Sequence, residues 1–118
     1  MTSGLLFPKP GKKKRKKIKP RESTLQVRDG RCFLCMINGN NFYYPDTEKH
    51  HIFNGPNRNN SEQEGLTVYL CRKHHTDGPA AVHNNRGNAL ILKRYAQAVW
   101  EQNHTREEFM EKFGKSYL

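Results

Sequence analysis

Two short spacings, Cys32-x-x-Cys35 and Cys71-x-x-His74, use every cysteine in the chain and narrow what it can fold into. A two-residue spacing lets one turn aim both side chains at one ion. Two such turns together offer three thiolates and an imidazole, the donors of a tetrahedral structural zinc site. The 35 residues between the pairs exceed an ordinary finger loop. They suit a treble-clef-like arrangement in which a hairpin is inserted between the knuckle and a helix start. The competing reading is three buried free thiols, since cysteine packs as a small hydrophobe. It has less in its favour, because only 34% of the chain is hydrophobic and a core that small commonly needs a staple. Three cysteines cannot all pair with one another, and "LLF" followed by proline is no secretory segment. The expectation is a metal-binding protein of a reducing compartment, the cytoplasm. No apolar run approaches the roughly 20 residues needed to span a bilayer.

The net charge of +10 belongs to one end of the chain. Residues 1–21 hold nine Lys and Arg and no acid, whereas residues 22–118 hold twelve basic and eleven acidic residues. Within "KPGKKKRKKIKPR", Lys12, Lys13, Lys14, Arg15, Lys16, Lys17 and Lys19 repel one another and leave no face to bury, so a disordered arm is expected over 1–21. Such an arm binds phosphates without sequence preference by releasing counterions from nucleic acid. Its plainer reading is a solubilising extension.

Three segments follow. Residues 22–87 should form the metal-stapled core, and 88–118 a helical extension. "FYYPDTEKHHIF" reads as a strand, a turn and the start of a second strand, and "LTVYLC" as a short buried strand. "GPNRNNSEQEG" has the composition of a loop. Asp77-Gly78-Pro79 stops whatever helix begins at Arg72. From Ala89, "ALILKRYAQAVWEQ" places Leu92, Tyr95, Ala96, Val99 and Trp100 at helical spacing, for about four turns. Thr105 and Glu108 fit a capping box for a second helix, with Gly114 at its end. Trp100, Phe109 and Phe113 belong to the core on their spacing.

The histidines raise a separate question. His50, His51, His75 and His83 bracket the second Cys/His pair. If His74 takes the structural metal, His75 lies one position further round the helix start and faces elsewhere. It can then meet the strand carrying His50 and His51. One end of the unit would be stapled by zinc, and the other would carry a second metal site.

"CFLC", "EKHHIF" and "GLTVYLCRKHH" occur in the order found in the HNH endonucleases, which the chain resembles over roughly residues 30–118. More narrowly, "HHIFNG", "LCRKHH", "AVH" and "REEFMEKFGKSYL" look like small HNH-like proteins of phages and prophages of Gram-positive bacteria. The resemblance implies an α+β fold: a zinc-stapled, treble-clef-like ββα-metal core with C-terminal helices behind a basic N-terminal arm. It implies hydrolysis of DNA phosphodiester bonds, by nicking or on branched duplexes, with a divalent cation such as Mg2+, Mn2+ or Ni2+. Position by position, His51 matches the general base, His50 a position often held by Asp that helps bind the catalytic metal, and His75 the histidine that closes the motif. His83 is a further metal candidate. The chain departs from the family in having Cys71-x-x-His74-His75 where Cys-x-x-Cys-His is usual. It also has Leu66 where the family's Asn orients the base, and Asn57, Asn59 or Asn60 could replace it, Asn57 by preference.

The chemistry is consistent with those assignments. Phosphodiester hydrolysis needs a base to activate water and a cation to stabilise the phosphorane and the departing oxyanion. Imidazole is largely neutral near pH 7 and suits the first task. A non-catalytic zinc-stapled DNA-binding protein and a ribonuclease are the other readings the residues allow.

Overall fold

The computed structural model describes residues 21–118; the arm residues Lys12 to Lys19 lie outside them. At its centre is an antiparallel ribbon of two strands, β1 (Glu48–His51) and β2 (Thr67–Leu70). His50 stands opposite Val68 and His51 opposite Thr67. All four β2 residues are buried, as their apolar and β-branched character predicts. The strand expected near Phe42–Tyr44 is reduced to a single bridge between Tyr43 and Arg31. Pro45 and Asp46 then turn the chain into β1.

The first Cys pair forms a tight knuckle around α1 (Phe33–Ile37), where Cys32 O accepts from Met36 N at 3.0 Å and Cys35 O from Asn40 N at 2.8 Å. The second pair brackets α3 (Arg72–His75), a single turn leaving β2. Asp77-Gly78-Pro79 does end that turn. The chain then doubles back, so that Val82 N donates to His74 O at 2.8 Å and His83 N to His75 O at 3.4 Å.

The segment between the strands corrects the sequence reading. In place of a loop, Gly55–Asn57 forms a 3-10 turn and Arg58–Glu64 a helix, α2. Pro56 falls in the first turn, where its missing N–H is no loss. Gly65 ends the helix in the left-handed region at φ 68°. The polar residues that suggested a loop bind the rest of the protein. The buried Ser61 hydroxyl donates to Phe53 O at 2.7 Å and accepts from Phe53 N at 2.9 Å.

The C-terminal part is α4 (Arg86–Trp100) and α5 (Arg106–Phe113). α4 starts three residues before the apolar periodicity does, because Asn85 caps it by accepting from Asn88 N. Thr105 and Glu108 form the reciprocal capping box, and Gly114 ends α5 with φ 95°. Trp100, Phe109 and Phe113 are buried in one cluster with Leu92, Phe53, Val68 and Leu70. The helices therefore share a single core with the ribbon.

Candidate functional site

The two cysteine-containing turns bring Cys32, Cys35, Cys71 and His74 to one point. Their sulfurs and His74 Nδ1 lie within 4.8 Å of one another. His74 Nδ1 is 3.4 Å from Cys32 Sγ, 3.4 Å from Cys35 Sγ and 3.5 Å from Cys71 Sγ, and Cys35 and Cys71 Sγ are 4.0 Å apart. Zinc–ligand bond lengths in a tetrahedron require sulfurs about 3.8 Å apart and sulfur–nitrogen separations of about 3.5 Å. The donor set therefore fits, and the cluster could hold a metal such as zinc. Burial, with the neighbouring Cys71 and Cys35, pushes the Cys32 thiol up to about 12, so a cation is what would stabilise its thiolate. The Tyr44 hydroxyl lies 3.1 Å from Cys35 Sγ, placed to donate to that sulfur.

A second group forms at the open end of the ribbon. His50, His75 and His83 offer nitrogens within 4.8 Å of one another, and His75 and His83 Nε2 approach to 3.1 Å. Imidazole nitrogens sharing one divalent ion stand about 3.0 to 3.5 Å apart. His75 Nδ1 donates to Glu48 Oε1 at 2.8 Å, leaving its Nε2 bare and its ring fixed, the usual support of a metal-bound histidine. Burial, then the neighbouring His75 and His83, drives the His50 imidazole down to about 3. Burial and His75 lower that of His83. Both shifts favour the neutral form that binds cations.

His51 takes no part in that trio. Strand alternation sends Glu48 and His50 toward α3, and Lys49 and His51 toward α2. There His51 Nε2 donates to Glu62 Oε1 at 2.7 Å, which leaves Nδ1 as the ring's free lone pair. Burial pushes the Glu62 carboxyl up, but the Arg21 N–H, the Lys49 ammonium and His51 outweigh it and hold it at about 2. Both imidazole faces nevertheless open on one cleft of about 200 Å³, lined by Lys49, His50, His51, Asn54, Arg58, His75 and His83.

The structure thus brings the four sequence-identified histidines together around one cleft and sends Asn57 elsewhere. Asn57 Nδ2 donates to Phe113 O at 3.0 Å, and its Oδ1 accepts from Asn60. The partner of His51 is Glu62, which lies on a helix that composition concealed. Leu66, in the place of the family's Asn, is a buried core residue. Arg58 and Asn54 at the rim also had no signature in the sequence beyond their charge or polarity.

The chain matches no family model, and comparison with curated proteins and with solved structures returns no match. Fold and clusters define a small α+β protein with a two-stranded sheet and several helices, whose Cys3His group could hold a metal such as zinc. Among the described residues no helix is long and apolar enough to cross a membrane.

Proposed function

We propose that this chain is an HNH-type, metal-dependent endonuclease that hydrolyses DNA phosphodiester bonds, with zinc at Cys32, Cys35, Cys71 and His74 as a structural staple. The observation that carries the reading is the division of adjacent histidines. His50 joins His75 and His83, while His51 is separately oriented by Glu62. Ligand trio and oriented base open on one cleft, the arrangement that metal-assisted hydrolysis requires.

A divalent cation held by His50, His75 and His83 would supply positive charge to the phosphoryl oxygens and the departing oxyanion. His51 Nδ1 accepts the proton of the attacking water. Glu62 fixes the tautomer of the imidazole, leaving Nδ1 as its free lone pair, and stabilises the imidazolium that forms. Lys49 stands 2.9 Å from Glu62 and keeps that carboxylate charged. Arg58, exposed at the rim, offers a forked donor to a phosphate.

Incubating supercoiled plasmid with the purified protein and Mg2+, Mn2+ or Ni2+ tests the reading. Nicking that requires the added ion and disappears in His51→Ala is expected. The absence of cleavage with all three ions would leave the second reading, a zinc-stapled DNA-binding protein without turnover, which Leu66 favours. Cleavage confined to RNA would replace the DNA substrate by RNA.

A further inference from the structure

Among the described residues, one side chain outside the Cys3His cluster hydrogen-bonds a sulfur: the Tyr44 hydroxyl, 3.1 Å from Cys35 Sγ. Its place is fixed from the knuckle itself. Tyr44 N donates to Gly30 O at 2.8 Å, two residues before Cys32, and Tyr43 pairs with Arg31. Gly30 permits that approach, with φ at +99° and a position where a Cβ would lie 3.1 Å from Tyr44 O. On the other side of the knuckle, Asn40 N donates to Cys35 O at 2.8 Å, and Asn40 Oδ1 accepts from Phe42 N at 3.0 Å. The Phe42 ring then stands edge-on to that of Tyr44, with centroids 4.8 Å apart. The chain leaving Cys35 thus closes into a loop whose last ring returns to the same sulfur.

The sulfurs do not share donors evenly. Backbone hydrogen bonds from Cys71 and Cys35 reach the Cys32 sulfur, whereas Cys35 Sγ has a side-chain donor in Tyr44. Three thiolates around one dication leave net negative charge, here at a point where no cysteine is more than 4% exposed. Buried charge is costly unless it is hydrogen-bonded. A donor to a thiolate also engages the lone pair with which that sulfur would attack an electrophile.

We propose that Tyr44 is a positioning residue of the zinc site: its hydroxyl donates to the Cys35 sulfur, shields it from electrophiles and helps hold the metal. The proposal rests on zinc occupying the Cys3His cluster. With the metal bound, the loop from Cys35 to Tyr44 is fastened at both ends to one ligand. Cys35 is then the ligand at which the cluster opens when the hydroxyl is lost.

Tyr44→Phe keeps the ring and removes only the hydroxyl. Tyr43→Phe is the control, at an exposed neighbour whose ring lies under Arg31. Zinc content is measured first on the full chain and both variants. Competition with a chromogenic chelator should then show zinc held about tenfold or more weakly in Tyr44→Phe, the loss expected when the outer partner of a metal ligand is removed. Zinc-loaded proteins are also treated with iodoacetamide, where the attacking sulfur forms a C–S bond as iodide leaves, and labelling is mapped by peptide mass spectrometry. The ratio of Cys35 to Cys32 labelling should rise several-fold in Tyr44→Phe and stay unchanged in Tyr43→Phe.

A uniform rise in labelling at all three cysteines would mean that the ring merely packs, and would overturn the proposal. So would zinc affinity and labelling order equal to those of the full chain. The two levels of the reading fail separately. A full chain that takes up no zinc loses the metal assignment and this proposal with it. A zinc-loaded chain indifferent to Tyr44→Phe keeps the assignment and loses only the role of Tyr44.

Discussion

His50 and His51 are neighbours in sequence with different partners: the His50 ring packs 5.3 Å from that of His75, and His51 bonds to Glu62 at 2.7 Å. The alternation of β1 separates them, and the end of the ribbon returns both to one cleft. Their substitutions should therefore fail in different ways. His51→Ala should keep its zinc and most of its thermal stability, because Glu62 retains the Lys49 and Arg21 donors. DNA binding should persist, and cleavage should fall by roughly 10²–10⁴. A folded, zinc-loaded His51→Ala protein that cleaves at the full rate would falsify the assignment of the base.

His75→Ala removes one imidazole of the proposed ion site and leaves Glu48 without its partner at the surface. Titration of the divalent ion should show weaker binding, by roughly 10- to 100-fold if Glu48 and His75 act as a unit. Excess ion should partly restore cleavage. If the ion titration of His75→Ala superimposes on that of the unmodified chain, the histidine trio is not the ion site.

Glu62→Gln separates orientation from packing, since the amide has nearly the same shape. Long-range 1H–15N spectra of the unmodified protein should report His51 with its proton on Nε2. The variant should lose that single tautomer and cleave roughly 10- to 100-fold more slowly. Unchanged tautomer signals would show that Glu62 only packs against the ring.

The Cys32 thiol, pushed up to about 12 by burial and its sulfur neighbours, is protonated at neutral pH until a cation displaces the proton. Zinc uptake must release that proton, so apparent zinc affinity should rise by at least about tenfold per pH unit through neutrality. Chelation, or Cys32→Ser, should unfold the protein, because the donors it removes join α1 to the β2–α3 turn. A melting curve unmoved by complete zinc removal would contradict this.

What could be read in advance followed from how local each interaction is. α5 was legible because Thr105 and Glu108 cap it within four residues, and the Cys3His cluster because both pairs carry their own turn geometry. α2 was not, because its Asn60 and Ser61, and Asn57 just before it, bond to partners 8 to 56 positions away. Without α2 nothing marks Glu62 as the partner of His51, and Asn57 takes that role by default. His83 looks remote in sequence because Asp77-Gly78-Pro79 intervenes. That interruption is what turns the chain back and sets His83 against His75.

α2 is held from its far side by residues more than 50 positions further along the chain. Asn57 and Asn60 donate to Phe113 O and Lys112 O, each at 3.0 Å, and Lys112 Nζ reaches Glu64 at 3.3 Å. During vectorial synthesis the four cluster donors, complete at residue 74, leave the ribosome ahead of α5, so a metal could join them first. The helix that carries Glu62 acquires its clamp only about 40 residues later, at roughly two to eight seconds of elongation. A chain in that interval would have all four cluster donors in hand while the helix that carries Glu62 still lacked the contacts that seat it beside His51.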